Sequence, residues 1–477
     1  MEAHATIGTE RGARRRHLWR HQVGAKFRAV GRTSVSQTPQ WSMLAPEQQE
    51  AVKVVSLVLP FRTNRYVMDE LIDWSDVPND PMFQLTFPQR GMLPESDYDA
   101  IVPYVRSGDE KNPELRHIIN RIHHRLNPHP AGQLSHNVPR VDGRPLPGVQ
   151  HKYRETVLFF PKQGQTCHAY CTFCFRWPQF VGLPDAKFES REVEDLVQYL
   201  QANPQVSDVL ITGGDPMIMK AENLRQYMEP LLRVEHIRNI RIGSKSIAYW
   251  PQRFVTDTDA DDVLRVFEMV VDSGRHLALM AHFNHGVEMG TPIAEEAMRR
   301  IRSTGANIRM QAPLLNHINN DPVIWADMWC RGVRNGAIPY YMFVERDTGP
   351  KHYFEVPLVR AWQVFREAYR RVSGLCRSVR GPSMSAFPGK VRVVGVTKVA
   401  DHKVLALEYL QCRDPELVGR PFFAKFNPEA TWLDDLEPAF DSDRPFFEWY
   451  RSEEHLEGHL PRLETTKITV NRDHAVA

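Results

Sequence analysis

The sequence predicts an α/β fold: a partial (β/α)6 TIM-like barrel with a helical N-terminal extension and a small C-terminal segment. Three observations predict it. Between about residues 155 and 345, short runs rich in Val, Ile, Leu and aromatic residues alternate with amphipathic stretches. The strand–helix unit recurs roughly every 30 residues, the spacing of βαβ units on a parallel sheet. Polar or glycine motifs close four successive runs, where α/β barrels gather their chemistry.

The predicted strands are Val157–Phe160, Val206–Thr212, Ile237–Ile242, Leu277–Phe283, Ile308–Leu315 and Tyr340–Val344. Between them, Glu192–Gln201, Ala221–Arg233, Asp259–Ser273, Ile293–Thr304 and Pro322–Asn335 carry apolar residues at three- and four-residue steps, the period of a helix with one buried face. Thr258, Thr291 and Gly305 are placed to cap or turn the chain between pieces. A loop with cysteines follows the first strand, Gly213-Gly214-Asp215-Pro216 the second and Gly243-Ser244-Lys245 the third; His282-Phe283-Asn284-His285 closes the fourth and Gln311 lies on the fifth. Glycines at such ends allow a ligand close to the backbone, although Gly-Gly-Asp-Pro alone is an ordinary turn.

Four segments are expected: a basic leader at 1–32, a helical and loop-rich region at 33–150 with helices at Pro46–Leu57 and Pro113–Leu126, the barrel at 151–395, and a polar tail at 396–477. The leader carries eight Lys or Arg side chains against Glu2 and Glu10. Its readings are a solvated extension, a transit peptide or an arm for an anionic partner. A net charge of +2 over 477 residues gives no case for nucleic-acid binding, and the 42% hydrophobic content is ordinary for a soluble globular chain. No apolar run approaches the roughly 20 residues of a membrane helix.

Cys167, Cys171 and Cys174 supply three thiolates to one small volume and withhold a fourth. A [4Fe–4S] cluster takes four Cys ligands, so three leave one iron open. This is the pattern of radical S-adenosylmethionine (SAM) enzymes, in which the open iron chelates SAM. Phe173 supplies an apolar ring to shield such a cluster and pack near adenine. A structural zinc site would need a fourth ligand, with His168 the neighbour on offer; inert core thiols are the remaining alternative. Cys330, Cys376 and Cys412 are too scattered for a disulfide framework. Reduced thiols and an oxygen-sensitive cluster point to the cytoplasm.

From His151 to Val394 the chain resembles the lysine 2,3-aminomutase family of radical SAM enzymes, which also use pyridoxal phosphate (PLP). The landmarks are His151-Lys152-Tyr153, the cysteine run ending Phe175-Arg176, Leu210–Asp215, Arg241–Ser244 with Pro251-Gln252-Arg253, His282–His285, Gln311 with Leu314-Leu315, Pro339-Tyr340-Tyr341, and Pro382 to Gly389-Lys390. The resemblance implies that Lys390 forms the Schiff base with PLP, since only an amine can do so and then be displaced by a substrate amine. It implies that Lys152 contacts the PLP phosphate; the arginine expected nearby is Thr156 here, with Arg154 as a substitute. It implies Phe173, Gly213, Gly214, Asp215, Ser244, His282 and Gln311 around SAM. Arg176 would hold the substrate α-carboxylate, for which a planar guanidinium fork is suited.

Lysine-specific members of the family hold the distant ammonium with two aspartates. Here the first aligns with Asn320, or with Asp321 after a one-residue slip, and the second with Arg380. An arginine repels an ammonium and attracts a carboxylate. The implied activity is therefore movement of an amino group from C2 to C3 of a small amino acid, glutamate-like rather than lysine. The alternative is another radical reaction of the same family on a small molecule or peptide. Flavodoxin or ferredoxin would supply the electron, and a homo-oligomer stays open. A third class, a zinc-stabilised protein whose leader docks on nucleic acid, predicts salt-sensitive binding.

Overall fold

The computed structural model describes residues 27–128, 137–182, 188–190, 192–386, 389–412 and 414–448. Most of the basic leader and the last 29 residues of the tail, 449–477, lie outside that set. Helices α1 (Pro46–Val55), α2 (Glu95–Ser107) and α3 (Pro113–Leu126) precede an eleven-stranded sheet. Its strands are β1 (Val149–Tyr153), β2 (Thr156–Phe159), β3 (Asp208–Ile211), β4 (Asn239–Ser244), β5 (His276–His282), β6 (Asn307–Leu314), β7 (Ala337–Val344), β8 (Arg380–Ser385), β9 (Gly389–Val399), β10 (His402–Cys412) and β11 (Pro421–Lys425), lying side by side in chain order. Strands β2 to β8 run parallel, whereas β1–β2 and the pairs from β8 to β11 are antiparallel.

Helices α4 (Val193–Gln201), α5 (Ala221–Leu231), α6 (Ala260–Asp272), α7 (Pro292–Ser303), α8 (Pro322–Arg334) and α9 (Leu358–Arg370) are the crossovers. Local chemistry fixes their ends. Thr291 Oγ1 accepts the Ala294 N–H at 3.2 Å, and Asp321 Oδ1 accepts the Val323 N–H at 2.6 Å, each just before a proline that opens the helix. Gly305, at φ +86°, turns the chain out of α7 in the left-handed region. Six strands and five crossover helices stand where the hydrophobic period puts them, with ends shifted by at most three residues.

Alternation along the strands divides the sheet into two faces. Ile240, Ile242 and Ser244 of β4 are buried, while Asn239, Arg241 and Gly243 are half-open. Val209, Ile211, Leu277, Leu279 and Ile308 join the buried side. Each large aliphatic chain so removed from water contributes about 1.5–3 kcal/mol. The other side mixes polar groups such as Asp208, Arg241 and Gln311 with Leu158, Leu210 and Met280. Lys152 on β1 donates its ammonium to the carbonyl of Ala386 just beyond β8, so the two ends of the parallel array meet. β1 and β8 are not paired with each other, which leaves an open, partial barrel.

Two features differ from the sequence reading. The parallel run continues into a seventh strand, β8, where Arg380-Gly381-Pro382-Ser383 reads as a turn. Strand β9 then runs through residue 396, the expected start of a polar tail, and β9 to β11 enclose a second apolar cluster that includes Leu405, Leu407, Tyr409, Phe422 and Phe446. These strands read as tail because their apolar residues are spaced by two among charged ones and pack on one face only. Among the described residues no helix is long and apolar enough to cross a membrane.

Candidate active site

The cysteine loop leaves β2 and is fastened on several sides. Tyr170 N donates to Arg62 O at 2.8 Å, Thr172 N to Leu85 O at 3.0 Å, and Asn64 Nδ2 to His168 O at 3.2 Å, so the N-terminal region grips it. From the barrel side, Asp215 N donates to Thr166 O at 2.7 Å. A Cβ on Gly214 would lie 2.6 Å from Gln165 C and Thr166 N, and one on Gly213 would lie 2.3 Å from the Gln165 amide. These glycines therefore admit the cysteine loop itself, a closer neighbour than the ligand expected from sequence.

The three thiols share one volume. Burial, then the Asp215 carboxylate and the other two sulfurs, push Cys167 well above its ordinary range. Burial and Cys171 push Cys174 up to about 12, with partial relief from Arg176. Burial also raises Cys171. Sulfurs that suppress each other's ionisation are a donor set that a polynuclear cation reverses, since metal ligation deprotonates a thiol outright. The donor set fits an iron–sulfur cluster. It fits zinc less well, because three thiols are one ligand short of the closed tetrahedron of a structural zinc site. His168 is otherwise engaged. Its Nδ1 meets Ser246 Oγ at 3.1 Å, its ring packs on Phe27 and Trp250, and burial lowers it to about 3.

Several expected SAM neighbours fasten strand ends to one another. Asp215, 3% exposed, accepts from Met217 N, Ser244 Oγ, Lys245 N and Ser246 Oγ at 2.8–3.0 Å. Burial raises its carboxyl and those four donors oppose the rise. Gln311 Nε2 donates to His282 Nε2 at 3.1 Å, an imidazole kept neutral by burial and by Lys245 at about 3. Lys245, which the sequence reading leaves without a role, forms a buried pair with Glu288 at 2.5 Å and lies over Tyr249, whose hydroxyl is 3.6 Å from Cys171 Sγ. Phe173 is buried with its ring edge-on to Phe354.

Lys390 opens β9, paired with Ser385 across the β8–β9 hairpin. Its ammonium lies 4.0 Å from the Tyr341 ring centre and 5.4 Å from that of Phe343. Burial lowers it to about 7, helped by the Arg241 and Arg380 charges. Arg380 stacks on Tyr340 and Tyr341, both at 4.5 Å. Arg176 lies over Phe160 at 4.3 Å and bonds only to the amides of Gln179 and Gln165. Burial lowers it to about 10.

Asn320 lies between β6 and α8, where its amide oxygen accepts Arg360 Nε at 3.2 Å in an exposed contact. Arg154 is exposed in the β1–β2 turn and so does not stand in for the buried Thr156. A residue missed in sequence is Arg346, two positions past β7. Its guanidinium lies 5.0 Å over the Phe175 ring, next to Cys174, within electrostatic reach of Asp347 and Glu345, and its buried Nε has no hydrogen-bond partner among the described residues. Beside it Glu345, 4% exposed, is pushed well above its ordinary range by burial. No sequence pattern separates such an arginine from a solvated one.

A parallel α/β array with a Cys-x3-Cys-x2-Cys loop at the carboxyl end of its first parallel strand defines a radical SAM enzyme. A protein of Aquifex aeolicus named "Putative L-lysine 2,3-aminomutase" is 30% identical over 390 residues, 82% of this chain and 91% of that one. The L-lysine 2,3-aminomutase of Acetoanaerobium sticklandii is 24% identical over 75% of this chain and 73% of its own length. The glutamate 2,3-aminomutase of Clostridioides difficile is 28% identical over 39% and 42% respectively. No protein-family model matches. Among solved structures, Streptococcus suis SuiB overlaps 58% of this chain and 60% of its own with a TM-score of 0.35 at 10% identity, a faint likeness. The chain belongs to the lysine 2,3-aminomutase family, radical SAM isomerases.

Proposed function

We propose that this enzyme is a 2,3-aminomutase for an α-amino acid with an acidic side chain, glutamate or a close analogue, using a [4Fe–4S] cluster, SAM and PLP. The observation that carries the reading is charge. Arg176, Arg346 and Arg380 are half-buried guanidinia around the Lys390 pocket and the cysteine loop; among the described residues Arg176 and Arg380 form no ion pair with a carboxylate, and Arg346 feels only those of its chain neighbours Asp347 and Glu345. Buried cations without partners are costly unless a ligand anion supplies the missing charge.

In this reading Cys167, Cys171 and Cys174 hold the cluster, with Phe173, Gly213, Gly214, Asp215, Ser244, His282 and Gln311 forming the wall on which SAM rests. Lys390 and Lys152 hold PLP. When bound, these groups supply a carbon-centred oxidant and an aldehyde carbon to which the migrating amine attaches. The protein's part is position and charge. Arg176 grips the α-carboxylate, which fixes which hydrogen of the β-carbon faces the cysteine loop. Arg380 and Arg346 receive the side-chain carboxylate. A substrate ammonium there would face like charge, at a cost of about 4 kcal/mol for a 4 Å separation in a partly screened site. Lys390, lowered to about 7, keeps a large share of neutral amine at physiological pH, the form that would hold the PLP aldehyde. Flavodoxin or ferredoxin would supply the electron, and the reduced thiols suit the cytoplasm.

The test is anaerobic reconstitution with iron, sulfide, SAM and PLP, then separate incubations with glutamate, aspartate and lysine, read by mass spectrometry for β-amino products. Glutamate or its analogue should react and lysine should not. Turnover of lysine with inert acidic substrates would sink the proposal.

A further inference from the structure

Outside the cleft, the chemistry-bearing groups that stand closest without a role are two thiols. Cys330 is exposed near the carboxyl end of α8, and Cys376, 4% exposed, closes the single turn Gly374–Cys376 that follows α9. They are 46 residues apart in sequence, and their Sγ atoms are 3.9 Å apart. We propose that Cys330 and Cys376 form a reversible dithiol–disulfide site that exchanges with small-molecule disulfides.

The backbone around the pair is held from both sides. Trp329 of α8 packs on Phe365 and Tyr369 of α9 at 5.9 and 6.5 Å. The Tyr369 hydroxyl donates to Arg377 O at 2.5 Å, and Arg377 Nε donates back to Tyr369 O at 3.0 Å. Ser378 Oγ then ties the turn to Pro339 O at the start of β7, at 2.7 Å. Neither partner has to travel. An S–S bond of about 2.05 Å requires the sulfurs to close by roughly 2 Å, within the reach of rotation about the two Cα–Cβ bonds.

Exposure sets the order of events. The Cys330 thiolate attacks one sulfur of the small disulfide, forming a mixed disulfide and expelling one small thiol. The Cys376 thiolate then attacks Cys330 Sγ, expelling the second. Two protein thiols are oxidised and one small disulfide is reduced to two thiols, which carry away both protons. The loop closed in this way contains β7 and α9, and Cys376 lies four residues before Arg380. Oxidation therefore staples α8 to the approach of the strand that carries Arg380. A disulfide in a reducing compartment is transient and tracks the thiol pool. The site does not depend on the cofactor reading above.

The test uses the full chain with its metal site reconstituted anaerobically, equilibrated over a series of oxidised-to-reduced glutathione ratios, acid-quenched, alkylated and mapped by non-reducing peptide mass spectrometry. At the oxidising end the Cys330 and Cys376 peptides should appear linked, and dithiothreitol should separate them. The melting temperature of the linked form should rise by several degrees. Cys376→Ser should accumulate glutathione on Cys330. The proposal is overturned if wild-type protein carries glutathione on Cys330 beside a free Cys376, or if both thiols stay open to alkylation throughout.

Discussion

Lys390 concentrates the physics of the cleft in one amine. Its value of about 7 against an ordinary 10.5 comes first from burial and then from Arg241 and Arg380. At pH 8 about 90% of such an amine is neutral, against less than about 1% of a surface lysine. Pyridoxal phosphate with borohydride at pH 8 should therefore label Lys390 first, as read by peptide mapping, and labelling in step with surface lysines would contradict the assignment. The linkage has a sign. The folded value lies below the unfolded one, so the unfolded chain binds more protons between about pH 7 and 10.5. That part of the stability rises with pH across the window, and Lys390→Met should flatten it in denaturant titrations. Arg346 and Arg380 give a second prediction. Either arginine changed to Gln should raise KM for the acidic substrate about 10- to 100-fold with a smaller loss in kcat, the signature of a lost binding contact worth about 1.5–3 kcal/mol. Equal falls in kcat and kcat/KM would instead assign them to the transition state.

Among the elements, the join between the β3 end and the cysteine loop is close-packed. Gly214→Ala places a Cβ against backbone that cannot yield cheaply, 2.6 Å from Gln165 C. It should lower iron bound per chain, while Gly374→Ala, with nothing within 4 Å, should not. Equal iron in both variants would show that the join does not hold the loop. The strands β2 to β7 were legible because a parallel sheet covered by helices leaves Val-, Ile- and Leu-rich runs separated by helical periods. Strand β8 was not, because Arg-Gly-Pro-Ser carries no β-branched run. Gly381 is there because a side chain would meet Met342 O at 2.5 Å. The cysteine spacing and Lys390 could be read from order along the chain. Arg346 could not, because its place over the Phe175 ring is a property of the folded surroundings.

For the molecule as a whole, the open barrel brings together groups from both of its ends. Lys152 comes from β1, the cysteines and Arg176 from the loop after β2, Arg346 from beyond β7, and Arg380 with Lys390 from the hairpin that follows. Lys152 spans the seam by its bond to Ala386. Lys152→Ala should weaken PLP retention about tenfold, measured by equilibrium dialysis, and unchanged retention would place the phosphate elsewhere. The central claim is that three crowded thiols hold an iron–sulfur cluster with one iron open to SAM. The most direct measurement is electron paramagnetic resonance of the anaerobically reconstituted, reduced chain, with iron and sulfide counted and SAM then added. The account predicts about four irons and four sulfides per chain, a signal that shifts on adding SAM, and loss of both in Cys174→Ala. One zinc per chain, or a signal indifferent to SAM, would contradict it.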